Sequence, residues 1–331
     1  MINYQASIGP FAHNGNSSRK IMYTVLLSLL PALFFACYQF GLPSLKVVLT
    51  AIVSAIACEW VCLTLMQREA KACLDGSAIL TAVLLAMSLP STIPLWMVVF
   101  ASAFAIIVGK QIYGGVGQNL FNPAMLARVM LIVCFPVEMT LWAQPTPISF
   151  SQNLVTLPQG WMMFDGLTSA TALSPEYSGS IGLFSLLIGT QSGSLGETSA
   201  LLILLGGMFL IGRKIIGWVI PISFLLGIAI PAAIAHFFFP DAYMAALPQL
   251  LSGGAMLGAF YIATDLVTSP TSIKGQWLYG LMGGLLVWLI RAFGSYPEGV
   301  AFAVLIMNSA SPLIDHYLRP SVFGAQNKVG Q

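Results

Sequence analysis

Hydrophobic residues fall in long runs along most of the chain, and glycine, proline and charged residues separate one run from the next. Several runs are shorter than the ~20 residues that a membrane-spanning helix needs, most clearly residues 77–89 and 250–263. Short apolar segments are typical of broken or tilted helices that pack inside a membrane protein. The pattern predicts ten helical segments, near residues 21–40, 46–66, 77–89, 93–110, 121–136, 199–212, 215–238, 250–263, 275–291 and 297–313.

The composition indicates that these apolar helices belong to a membrane protein. Of 331 residues, 57% are hydrophobic and only 7% are charged, and the mean hydropathy is +0.87. So few charges exclude a soluble domain. We therefore expect an all-α polytopic membrane protein in contact with lipid. The net charge of +2 comes without a predicted basic face, so no nucleic-acid partner is expected.

The positions of the cations orient the predicted helices. With ten helices and a cytoplasmic N-terminus, ten of the 13 lysines and arginines fall on the cytoplasmic side, as the positive-inside rule requires. Residues 1–20 and the tail at 314–331 are then cytoplasmic, and residues 137–198 form a loop on the opposite side. The ten cations are Arg19, Lys20, Arg68, Lys71, Lys110, Arg213, Lys214, Lys274, Arg319 and Lys328.

A weak internal repeat divides the chain into two halves. The sequence around Gly76 recurs around Gly253, at an offset of 177 residues. Both glycines precede the third of five predicted helices, in residues 21–136 and in residues 199–313. Because five is odd, the halves would have opposite topology, which is the inverted-repeat plan of many transporters. The alternative is coincidence in a chain rich in alanine, glycine and leucine.

The polar segment at 137–198 contains the run Asp165-Gly-Leu-Thr-Ser-Ala-Thr171. Considered locally, this run is a capped turn that leads into a loop. It also resembles the recognition motif of flavin transferases, in which the last threonine is joined to FMN by a phosphoester bond. The resemblance implies covalent FMN at Thr171, with Thr168 and Ser169 as rival acceptors and Asp165 as part of the motif.

Two further stretches carry a wider resemblance. Residues 114–124 read GGVGQNLFNPA, and residues 263–270 read ATDLVTSP. Together with the Asp165–Thr171 run and the ten-helix repeat, they resemble the D-subunit family of Rnf ion-translocating electron-transport complexes. The related B-subunit family of sodium-translocating NADH:quinone oxidoreductases is the alternative, although its members usually have a longer N-terminal extension. Leu266 is a departure, because proline is expected there.

This resemblance implies two flavins. The covalent FMN would lie on the non-cytoplasmic side, and a second, non-covalent riboflavin or FMN would lie among the helices. Asn119, Asn122, Thr264 and Asp265 are the candidates to line the second site, because amides and a glycine-rich backbone suit a planar ring with polar edges. The alternative for the glycine-rich stretch is a tight turn with helix caps.

Glu59 lies within the second predicted helix, where an ionisable side chain is costly and often functional. A role in an ion or proton pathway is one interpretation. The other is simple packing near the inner interface, about two turns from Arg68. Arg128 lies at a similar depth in the fifth helix.

The predicted function is therefore that of a flavin-carrying subunit in a bacterial inner-membrane complex, linked to Na⁺ or H⁺ transport. The chain has no recognisable nicotinamide site, iron–sulfur ligands, metal site or catalytic residue of its own. We thus expect iron–sulfur and membrane subunits as electron partners, and a flavin transferase as the modifying enzyme. The alternatives are a urea-transporter-like channel without redox activity, or a scaffold subunit whose motif is never modified.

Overall fold

A computed structural model describes residues 17–68, 70–143, 145, 182–240, 242–294 and 298–319. These residues form mainly helices joined by short connections. Four of the helices, including Ser18–Phe40 and Val219–Phe238, are long and apolar enough to cross a membrane by length and composition. The expectation of a helical membrane protein is confirmed at this level.

The first half contains six described helices. Helix α1 begins after Ser17, whose side chain accepts a hydrogen bond from the Lys20 N–H, and the turn at Gly41 separates α1 from α2. Helix α4 continues into a π turn at Ile107–Gln111. The helices are α1 (Ser18–Phe40), α2 (Leu42–Leu65), α3 (Ser77–Met87), α4 (Leu95–Ile106), α5 (Pro123–Cys134) and α6 (Pro136–Thr140).

The second half follows a similar course. The segment expected at 250–263 is divided rather than continuous, because a helix ends at Leu251 and the left-handed Gly253 precedes the next helix. A π turn at Gly258–Ile262 extends that next helix. The described helices are α7 (Leu183–Ile188), α8 (Ala200–Gly212), α9 (Val219–Phe238), α10 (Ala246–Leu251), α11 (Ala255–Leu257), α12 (Ile273–Phe293) and α13 (Val300–Tyr317).

The short helices lie in the interior, as their length predicts. Eight of the 11 residues of α3 are buried, and the residues of α11 and its π turn are buried as well. The longer helices surround them: α2 packs on α3 and α4, α1 packs on α8, and α5 packs on α13. The interior of the bundle therefore contains helix ends, whose polar backbone groups need partners.

Helices α9 and α12 approach each other closely along small residues. Ser223 and Gly227 on α9 face Gly280 and Gly284 on α12, and a side chain at Gly227 or Gly284 would meet the backbone of the opposite helix. Small residues four apart allow such contact between membrane helices, where van der Waals packing contributes much of the association energy. This pair is a closely packed part of the second half.

Candidate functional site

An open cavity lies where the ends of several helices meet. Its volume is about 820 Å³, which includes space open to solvent. The wall is formed by the start of α1, by α3, by the ends of α4, α8 and α11, and by the connections that precede α5 and α12. A concave space that combines apolar side chains with a few polar groups has the usual character of a small-molecule site.

The cavity brings together the four residues that the sequence proposed for a second cofactor site. Asn119 and Asn122 come from the connection before α5, while Thr264 and Asp265 follow the π turn after α11. These two connections are far apart in the chain. Their meeting gives one wall of the cavity a concentration of amide, hydroxyl and carboxylate groups.

Local hydrogen bonds fix the two asparagines. The side-chain oxygen of Asn122 caps α5, accepting from the N–H groups of Ala124 and Met125 at 3.1 and 3.3 Å. The amide of Asn119 donates to the Phe121 carbonyl at 3.1 Å. The helix-cap interpretation is therefore confirmed for Asn122, and it coexists with a position on the cavity wall.

The residues after α11 are held in the same way. The Thr264 hydroxyl donates to the Phe260 carbonyl at 2.6 Å, and the Asp265 carboxylate accepts from the Val267 N–H at 3.3 Å and the Thr268 hydroxyl at 3.4 Å. Burial raises the pKa of Asp265, while these two hydrogen bonds oppose the rise. Each of these hydrogen bonds joins residues two to four positions apart, so the connection holds its conformation through its own contacts.

The cavity wall suits a planar aromatic ligand. Gly117 lies on the wall with a φ of +87°, and a Cβ at this position would meet nothing within 4 Å. A ligand could therefore approach the backbone closely there. Phe260 and Tyr261, together with aliphatic side chains such as Leu80 and Leu84, supply apolar surface. The wall therefore offers apolar surface beside a group of polar side chains.

A buried ionic cluster lies beside the cavity. The Lys110 ammonium group, in the π turn after α4, forms an ion pair with Glu59 on α2 and donates to the Ser77 hydroxyl at 2.6 Å. The Gln111 amide donates to the same Glu59 carboxylate at 3.1 Å. Glu59 and Lys110 are 2% and 3% exposed. Lys110 and Ser77 also line the cavity, whereas Glu59 lies behind them.

Sequence reasoning missed the role of Lys110. It counted this lysine only as a cytoplasmic helix-end cation and considered Arg68 as the neighbour of Glu59. The Arg68 guanidinium instead donates to the Gly114 carbonyl, 46 residues away. The signal that was available is a lysine in an apolar helix, four residues before the glycine-rich stretch at Gly114.

A second buried ion pair joins Arg128 on α5 to Glu298, just before α13. Glu298 also accepts a hydrogen bond from the Gly254 N–H at 2.8 Å. Arg291 on α12 donates to the carbonyl oxygens of Gln249 and Ser252. These groups do not line the cavity. They satisfy the polar ends of α10 and α11 in the interior.

The predicted covalent flavin motif lies outside the described residues. Asp165, Thr168, Ser169 and Thr171 belong to the part of the chain for which no conformation is described. The expectation of covalent FMN at Thr171 therefore stays a prediction.

The fold and cavity define a polytopic helical membrane protein with a polar-edged cavity between broken helices. The profile of the NQR2, RnfD, RnfE family matches residues 5–324, and the chain belongs to that family. It is similar to the D subunit of the ion-translocating oxidoreductase complex of Stutzerimonas stutzeri, with 45% identity over 328 residues, covering 93% of each chain. The D subunit of the complex of the same name from Sodalis glossinidius is 41% identical over 342 residues, covering 97% of this chain and 99% of its own.

Proposed function

We propose that the protein is a flavin-carrying subunit of an ion-translocating electron-transport complex and passes electrons between partner subunits without being catalytic alone. The observation that carries the proposal is the meeting of two distant connections, 114–122 and 264–267, at one cavity. Family membership and the names of the relatives support it. Partner subunits with iron–sulfur centres would deliver or remove the electrons.

The cavity would hold a non-covalent riboflavin or FMN. Asn119, Asn122, Thr264 and Asp265 would surround its polar edge, and the backbone at Gly117 would lie against the ring. A bound flavin supplies the redox chemistry, whereas the protein supplies its position and its electrostatic surroundings. The apolar lining would limit the access of water, which strengthens the effect of nearby charges.

A second flavin, FMN, would be covalently attached to Thr171 by a flavin transferase. The sequence of the Asp165–Thr171 run supports this assignment, since small neighbours leave the threonine hydroxyl accessible to a modifying enzyme. Asp165 and Ser169 would form part of the recognition motif.

Two inverted five-helix repeats would form the bundle. Several observations support this proposal: α2 and α9 begin 177 positions apart, as do α5 and α13. Gly76 and Gly253, which both have a left-handed φ, differ by the same offset. Helix α1 packs on α8 and α5 packs on α13, each on its own equivalent, as expected for helices that lie beside a two-fold axis between the halves.

The orientation follows from the distribution of cations along the chain. Both termini would lie in the cytoplasm, and residues 137–198 would lie in the periplasm, so that the covalent FMN and the cavity flavin would occupy opposite sides of a bacterial inner membrane. Glu59 would contribute to the pathway of Na⁺ or H⁺, because its carboxylate is buried and one of its oxygens, Oε2, has no hydrogen-bond partner among the described residues.

Flavin analysis tests the proposal. Purified protein is denatured, and the released and retained flavins are measured separately by fluorescence. The proposal expects riboflavin or FMN in the supernatant and additional flavin that remains with the polypeptide. A colourless protein that conducts a small solute in liposomes would instead establish the channel alternative.

A further inference from the structure

The cavity wall contains one residue that links the ligand space to the buried carboxylate behind it. Among the described residues that line the cavity, Lys110 and Asp265 carry the charges. The Asp265 carboxylate is engaged by its own turn, through Val267 and Thr268. Among the described residues of the wall, Lys110 is the cation, so it is the side chain that can stabilise negative charge on a ligand.

Two of the three N–H donors of Lys110 have partners among the described residues. An ammonium group has three N–H donors. Within the described part of the chain, one is directed to Glu59 and another to the Ser77 hydroxyl at 2.6 Å. Ser77 in turn donates to the Asp75 carboxylate at 2.6 Å, which fixes the position of its oxygen. The third donor has no hydrogen-bond partner among the described residues, and Lys110 lies on the cavity wall.

The Glu59 carboxylate also lacks part of its hydrogen bonding among the described residues. Its Oε1 atom accepts from Lys110 and Gln111, whereas Oε2 is buried without a hydrogen-bond partner among the described residues. The Oε1 atom of Gln111 is also buried without a hydrogen-bond partner among the described residues. The carboxylate therefore depends on Lys110 for most of its charge compensation, and any group that draws the ammonium toward the cavity weakens that compensation.

We propose that Lys110 is a positioning residue that serves as a shared counter-ion, holding the polar edge of the cavity ligand with one donor and Glu59 with another. This inference rests on the proposed function, in which the ligand is a flavin. Negative charge on the ligand is stabilised by Lys110 and destabilised by Glu59. The two residues therefore act on the same ligand with opposite signs.

The experiment measures the reduction midpoint potential of the cavity flavin in purified full-length protein. A Thr171→Ala background removes the predicted covalent flavin, whose signal would overlap. Lys110→Met removes the cation, and Glu59→Gln removes the anion with nearly the same shape. Glu138→Gln is the control, because Glu138 lies on α6 and its carboxylate does not line the cavity. The titrations follow flavin absorbance at fixed pH, and released flavin is measured in parallel.

We expect Lys110→Met to lower the midpoint potential or to release the flavin, and Glu59→Gln to raise the potential. Each change should alter the ratio of affinities for reduced and oxidised flavin by about tenfold or more, as expected for a unit charge close to a ligand in a partly dry site. Glu138→Gln should leave the ratio unchanged.

The outcomes distinguish failure of the proposed function from failure of the role of Lys110. If the Thr171→Ala protein with an otherwise unaltered cavity yields no extractable flavin, the proposed cavity flavin fails and this inference fails with it. If flavin is present but both variants leave the potential unchanged, or shift it in the same direction, only the role of Lys110 is overturned. Should Lys110→Met not accumulate, Glu59→Gln decides by itself, since an unchanged potential there contradicts a shared counter-ion.

Discussion

The guanidinium group of Arg128 on α5 forms a buried ion pair with the carboxylate of Glu298, 170 residues further along the chain. Glu298 also accepts a hydrogen bond from the Gly254 N–H at 2.8 Å, close to the start of α11. One carboxylate therefore connects an element of the first half to two elements of the second half.

This relationship predicts a large cost for removing one partner. Arg128→Leu leaves the Glu298 carboxylate buried without its counter-charge, which should destabilise the fold by ~3–5 kcal/mol. Thermal unfolding of the purified protein in detergent measures the effect. The double variant with Glu298→Gln should lose less than the sum of the single variants.

Arg213→Leu serves as a control, because Arg213 is exposed at the end of α8. Its replacement should change stability by less than ~0.5 kcal/mol. If Arg128→Leu proved no more costly than Arg213→Leu, the connecting role of the ion pair would be refuted.

The close approach of α9 and α12 predicts sensitivity to a single methyl group. In Gly227→Ala, the new Cβ would meet the Leu281 carbonyl and the Gly284 Cα. The helices must then separate, at a cost of ~1–3 kcal/mol in the free energy of unfolding. Gly212→Ala is the matched control, since a Cβ there meets nothing within 4 Å. Equal stability of the two variants would argue against tight helix contact.

Asn122 has a structural role that can be separated from ligand binding. Asn122→Ala removes the side-chain cap of α5 and should cost ~0.5–2 kcal/mol. Asn122→Asp retains an acceptor oxygen and should keep most of this stability, but it removes the amide donors and adds a negative charge to the cavity wall. We expect Asn122→Asp to retain the fold and to release flavin more readily, which fluorescence of the supernatant measures. Unaltered flavin retention in Asn122→Asp would exclude the side-chain amide from the site.

A carboxyl group in the turn before α8 predicts a pH dependence of stability. Burial raises the pKa of Glu197 from 4.5 to about 7, the Glu298 carboxylate adds to the rise, and Ser194 and Arg128 oppose it. The folded state thus binds this proton more tightly than the unfolded state. Its contribution to stability is complete below about pH 4.5 and is lost as the pH rises toward about 7. Unfolding temperatures across this range measure the loss, and Glu197→Gln should flatten the profile. An equal slope in the variant would assign the dependence to other groups.

The sequence predicted the helices well because hydrophobic runs and glycine or proline breaks are local signals. The short segment at 77–89 corresponds to α3 and is buried as expected. The sequence predicted a broken or tilted helix at 250–263, but not the position of its break, which depends on the backbone conformation of Gly253 and on burial of the neighbouring helix ends.

Partnerships between side chains were harder to predict than helices. Glu59 was recognised as unusual, but its partner Lys110 lies 51 residues away and is brought close only by the packing of α2 against the π turn after α4. Asn119 and Thr264 were proposed for one site from the repeat and the resemblance, and the fold places both on one cavity wall. Hydrophobic periodicity alone carries no information about such distant pairs.

Whether this chain carries covalent flavin is decided by peptide mass analysis of the purified protein. We expect the peptide containing Thr171 to bear the mass of FMN less one water, and Thr171→Ala to abolish this addition. An unmodified peptide from protein produced together with the flavin transferase would contradict the assignment.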